Sequence, residues 1–256
     1  MLSLFNQMQK KRFLNRYLLF LGAVVLFHSV IYYPVYLFLA SDVAWKSSIL
    51  YFLWTEIAEP LSVYLFFWGS FAFLIYAGIR EGNGRAAIPY LIVYAVGSVL
   101  RYALQNVCYI FMMGLASWKV YFSFWDILWN ILLDLAIMGC VFALLLVFLK
   151  RMRREGDARE ICLPVTGFFN LKNLLIRLSL SAAAFPSLAR ILPRAYYDIF
   201  GGNVPSGVAE IFLMITYYAT DVLTALLGHI VIVMMISAFH VSDVRSRMRF
   251  DAENKK

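Results

Sequence analysis

Charged residues of this chain stand inside long apolar runs, among them Arg101, Arg190, Arg194, Glu56, Glu59, Asp134 and Asp221. Their chemistry is that of recognition or of proton transfer. A guanidinium is a planar fork that grips a carboxylate or phosphate through paired N–H groups. Two carboxylates beside a substrate can act as acid and base. Tyr32, Gln105 and Asn130 add neutral hydrogen-bonding groups in the same runs. A charge at the centre of a helix in lipid costs at least ~2.5–3.5 kcal/mol on insertion scales, so each of these must be paired, solvated in a cavity or used.

The elements that carry them are legible from composition. The chain has 256 residues, of which 62% are hydrophobic and 15% charged. A soluble domain runs at about 45–50% apolar and about 25% charged. Mean hydropathy is +0.75. The expected fold is therefore all-α: a polytopic membrane protein with six transmembrane helices in one bundle. The spans are read at roughly 17–40, 49–79, 86–113, 123–149, 174–200 and 207–240, each long enough for the ~20 residues that cross a hydrocarbon core. Residues 1–16 read as a basic tail or an interfacial helix, 17–240 as the membrane domain and 241–256 as a second basic tail. Pro186 and Pro193 are expected to bend or break the fifth span.

Charge between the spans predicts orientation. Seventeen Lys and Arg fall in the two tails and in the second and fourth connections, against Lys46 and Lys119 in the others. The positive-inside rule then places both termini in the cytoplasm of a multi-pass protein of the cell membrane. The net charge of +8 follows this loop pattern and carries no nucleic-acid signal. The first span is too long for the apolar core of a signal peptide and lacks a small-residue cleavage site, so it reads as an uncleaved anchor. Cys108, Cys140 and Cys162 show neither a disulfide framework nor metal spacing. No cofactor is expected.

Helical spacing gathers the polar groups into stripes. Tyr94, Ser98, Arg101, Gln105 and Cys108 share one face of the third span; Ser187, Arg190, Arg194 and Tyr197 share one face of the fifth. Asp126, Asn130 and Asp134 drift around one side of the fourth, and Glu210, Tyr217, Asp221, Thr224 and Gly228 line the sixth. Ser29, Tyr32, Tyr33 and Tyr36 face one way on the first. Lipid cannot satisfy such stripes, so they should face the interior. Their depths predict a polar cavity opening outward above apolar packing. Arginines on odd spans and acids on even ones also point to a two-helix unit repeated three times, a plan on which transporters are often built.

The functional expectation is a transporter or solute-binding membrane component of permease-like character. Its ligand would be a small polar or carboxylate-bearing solute, held by Arg101, Arg190, Arg194, Glu56, Glu59, Asp134, Asp221, Tyr32, Gln105 and Asn130. Its partners would be the lipid bilayer, the solute, and a separate ATP-binding subunit or other membrane subunits, since no phosphate-binding Gly-rich loop is present. Two other readings stand beside it. One is a membrane-embedded enzyme acting on a lipid-linked substrate, with Glu56 and Glu59 or Asp134 and Asp221 as acid and base; whether the chain is an enzyme is open, with the balance against. The other is a non-catalytic assembly partner whose charges only pair with each other.

Overall fold

The computed structural model describes residues 2–40, 49–50, 59–114, 124–154, 172–200 and 208–253. All of these but Gly82, Asn83 and Gly114 are helical, with no strand among them. Helix α1 (Leu2–Leu26) passes through a π-helical turn (Phe27–Tyr32) into α2 (Tyr33–Ala40). Then follow α3 (Glu59–Glu81), a 3-10 turn (Gly84–Ala87), α4 (Ile88–Met113), α5 (Phe124–Arg154), α6 (Lys172–Phe200) and α7 (Val208–Glu253). A helix bonds its own backbone, which is the condition for crossing lipid. Five stretches among the described residues are long and apolar enough to do so: Asn6–Leu39, Ser62–Glu81, Gly84–Met113, Phe124–Lys150 and Tyr218–Ala252. A shorter apolar stretch, Ile176–Ala189, lies within α6. The chain is an integral membrane protein by these helices.

Local sequence explains several features. Pro34 has no N–H to give the Val30 carbonyl, and its ring crowds that carbonyl. The helix accommodates this by widening to a π turn just before it, where the Tyr33 N–H reaches back to the His28 carbonyl. Helix α3 ends in a Schellman motif: Asn83 N–H donates to Gly78 O at 3.2 Å and Gly82 N–H to Ile79 O at 3.0 Å. Gly82 supplies the required positive φ of 58°. Helix α4 opens with Pro89 in its first turn, where a missing N–H costs nothing. It closes at Gly114, whose φ is 84° and whose N–H caps Ile110 O at 2.9 Å.

Two boundaries differ from the sequence expectation. The fifth span is unbroken at Pro186 and Pro193, since α6 runs as one helix from Lys172 to Phe200. Prolines are tolerated in membrane helices because neighbours and local adjustments re-satisfy the freed carbonyls. The last helix does not stop at 240 but continues to Glu253, 46 residues in all. At ~1.5 Å per residue that is about 70 Å, well beyond the ~30 Å of a hydrocarbon core.

The chain divides into two compact units, residues 1–74 with 85–140 and residues 75–84 with 141–256. In the first, α1 buries Phe13, Tyr17, Leu21 and Val25, one residue per turn. Phe13 and Tyr17 pack on Phe73 of α3 and Tyr90 of α4, with ring centroids 5.0–5.7 Å apart. Gly97 of α4 lets Leu21 approach so closely that a Cβ would lie 2.5 Å from its Cδ2. Small residues at such crossings are how membrane helices gain contact, because dispersion rather than water exclusion holds them together. In the second unit α6 packs along α7, with Ser179 Oγ 2.9 Å from His229 Nδ1.

Candidate functional site

Two of the intramembrane charges meet in the first unit. The Arg101 Nη2 of α4 donates to Asp134 Oδ2 of α5 at 2.7 Å, and the two side chains are 5% and 6% exposed. Spacing prepares this contact. Tyr90, Tyr94, Gly97, Ser98, Arg101 and Tyr109 form the buried face of α4, while Ile92, Val96, Val99, Leu100, Val107 and Phe111 are exposed on other faces. One turn before Arg101, Ser98 Oγ donates to the same Asp134 Oδ2 at 2.9 Å. One turn further back, the Tyr94 hydroxyl donates to the Asp134 carbonyl at 3.4 Å. The first helix closes the site from another side: Ser29 Oγ, inside the π turn, donates to Arg101 O at 3.1 Å. π turns are frequent at functional sites.

The guanidinium is held flat. Its central carbon lies 4.6 Å from the ring centroids of both Phe66 and Tyr102. Both contacts are of the cation–π kind, which strengthen when desolvated. Nη2 also donates to the Tyr102 hydroxyl at 2.8 Å. The remaining edges are bare: Arg101 Nε and Nη1 are buried and have no hydrogen-bond partner among the described residues. A buried donor left unsatisfied costs about 1–3 kcal/mol, more on a charged group. Two nitrogen atoms of the guanidinium therefore keep unused donor capacity.

Along the same two helices an aromatic column continues from the ion pair. His28 stacks on Tyr32 and Tyr32 on Tyr36, with centroids 5.5 and 6.1 Å apart. Tyr33 reaches Tyr109 of α4 at 6.4 Å, and Gln105 faces Tyr33. His28 Nδ1 is 2.9 Å from Ser62 Oγ of α3, which ties the π turn to a third helix.

The sequence-derived residues separate into groups. Arg101 and Asp134 come together, with Tyr32 buried and Gln105 half-buried in the column beside them. Asn130, one turn from Asp134, is exposed, as is Asp126. Asp221 is buried on α7, in the second unit. Glu56 lies outside the described residues, as do the side chains of Glu59, Arg190 and Arg194. Sequence reasoning missed Phe66 and Tyr102. Phe66 gives no polar signal, and Tyr102 is off the stripe, reached only because the arginine side chain folds back beside its own helix.

It also missed a cluster in the second unit. The Tyr76 hydroxyl donates to Asp243 Oδ2 at 2.9 Å. Arg80 Nη1 pairs with the same oxygen at 3.3 Å, and its Nε with Glu81 Oε1 at 3.3 Å. Arg80 sits in the last turn of α3, where a cation also meets the negative end of the helix dipole. The contact joins the end of α3 to the extended part of α7. It is visible only once that helix is known to run past 240.

Comparison of the chain with protein-family models, with curated proteins and with solved structures found no match.

Proposed function

We propose that the chain is a transport or solute-binding component of a membrane, with the Arg101–Asp134 pair at the centre of its site. The single observation that carries this reading is the guanidinium of Arg101, deeply buried with Nε and Nη1 unpartnered among the described residues. A purely architectural ion pair is expected to satisfy its own hydrogen-bonding capacity, because half-satisfied buried networks are costly. Spare buried N–H groups on a guanidinium are what a carboxylate or other oxygen-bearing solute needs. The π turn over Arg101 supports the same reading, since it is a point at which the first helix can change register. The loop charges support an orientation with both termini in the cytoplasm. The Arg80–Asp243 contact agrees with it by bringing the ends of α3 and α7 together. The solute is small and polar, and energy comes from a separate subunit or from the solute gradient.

The test is retention and uptake of solute. Protein purified in its lipid is denatured, and the released small molecules are identified by mass spectrometry. The released solute is then offered to proteoliposomes. Wild type binds it and lets it equilibrate across the membrane, Arg101→Gln does not, and Arg101→Lys retains part of it. An identical complement of solutes and equal uptake in wild type and Arg101→Gln would refute the assignment.

A further inference from the structure

The spare capacity of the site has two signs. On Arg101, Nε and Nη1 lack acceptors among the described residues. On Asp134, Ser98 and Arg101 both donate to Oδ2, and no donor to Oδ1 is found among the described residues. An ionised carboxylate has about four acceptor positions, so Asp134 keeps acceptor capacity for a cation as Arg101 keeps donor capacity for an anion. The pair as it stands is electrically neutral and almost fully withdrawn from solvent.

Charge balance then restricts the ligand. A lone carboxylate bound to Arg101 would leave one net negative charge in a low-dielectric interior, and a lone ammonium bound to Asp134 one net positive charge. Uncompensated buried charge is the most expensive arrangement available. A molecule carrying both poles fits without that cost. Its carboxylate meets the bare edges of Arg101, its ammonium meets Asp134, and the site stays neutral before, during and after binding.

The geometry also limits the distance between the poles. Arg101 and Asp134 touch directly through Nη2 and Oδ2, so their remaining edges belong to adjoining side chains, and the groups that complement them lie close together on the ligand. From this we infer that the solute is a small zwitterion of the α-amino-acid type, with ammonium and carboxylate borne on one carbon. This rests on the solute-binding reading given above.

The experiment is a charge ladder on one scaffold. Wild-type protein in nanodiscs is heated with a mixture of the free amino acids that have uncharged side chains. It is heated separately with the same mixture N-acetylated, which is anionic, with the mixture as methyl esters, which is cationic, and with γ-aminobutyrate, whose poles are far apart. The free amino acids raise the unfolding temperature by binding the native state; the anionic and cationic mixtures and γ-aminobutyrate do not. The neutral double variant Arg101→Gln/Asp134→Asn, which keeps the interior uncharged and so folds, loses the shift. Stabilisation by the N-acetylated mixture equal to that by the free acids would overturn the inference in favour of an anion taken up with a proton. Equal stabilisation by the esters, or none by any mixture, overturns it as well. The wider reading fails separately: it falls only if the solute carried by wild type is also carried by Arg101→Gln.

Discussion

Removing one charge of the buried pair should cost far more than removing a neutral hydrogen bond beside it, and the two charges should not be equivalent. In Asp134→Asn the Arg101 guanidinium keeps its charge, because it cannot be deprotonated in a protein. It loses a 2.7 Å charge-assisted bond at a site where the side chains are 5% and 6% exposed. Breaking a buried pair in this way costs about 3–5 kcal/mol. In Arg101→Gln the carboxylate that remains can discharge by taking a proton, and it keeps the Ser98 hydroxyl at 2.9 Å. Its cost should be smaller, about 1–3 kcal/mol. Ser98→Ala removes one neutral donor, a change that averages about 0.6 kcal/mol in membrane helices. The double variant Arg101→Gln/Asp134→Asn should be more stable than the two single losses added together. The assay is reversible unfolding in mixed micelles of rising SDS content. Buried Trp68, stacked on Tyr64 in the same unit, serves as the fluorescent reporter. Single variants that each lose less than about 0.5 kcal/mol, or losses that add within about 0.5 kcal/mol, would refute the reasoning. The same would follow if Ser98→Ala cost as much as Asp134→Asn.

Two further outcomes are expected. Gly97→Val forces a side chain into the space held by Leu21 and should destabilise the first unit by about 1–3 kcal/mol. Gly22→Ala meets nothing within 4 Å and should instead gain up to ~1 kcal/mol in helix propensity; the same SDS titration of both variants checks the pair. Asp243→Asn weakens two contacts at the end of α3 and should expose the α7 extension to protease several times faster, whereas Tyr76→Phe, which spares the ion pair, should do so less. Equal cleavage rates in wild type and Asp243→Asn would show that the contact does not hold the extension.

Much of the site was present in the stripe arithmetic. Tyr94, Ser98 and Arg101 recur at helical spacing, and they are the buried face of α4. Asp134 was expected on the interior side of its helix, and it is buried. The same arithmetic grouped Asn130 with Asp134, yet Asn130 is exposed. Residues four apart are offset by about 40° on a helix of 3.6 residues per turn. That offset, together with its place toward the start of α5, carries it past the edge of the packed face. The π turn had a sequence cause in Pro34, but a proline in an apolar run signals a disturbed helix without saying which kind. The cluster around Asp243 was unreadable because residues 241–256, rich in charge, resemble a tail; helix content there comes from continuation of α7.

Composition and periodicity determined on their own that this chain enters a membrane as long helices and that its charges must be hidden from lipid. Both follow from the solvent: lipid offers no hydrogen bonds, so backbone and charge alike must be satisfied within the protein. Which charge meets which was decided by the tertiary structure alone. Pairing depends on helix neighbours and on rotation about each axis, and these are set by the close fit of Phe13, Tyr17 and Leu21 against Phe73, Tyr90 and Gly97. Such contacts are made by apolar atoms that look alike in a sequence. They turn the Arg101 face of α4 inward, where Asp134 of α5 meets it.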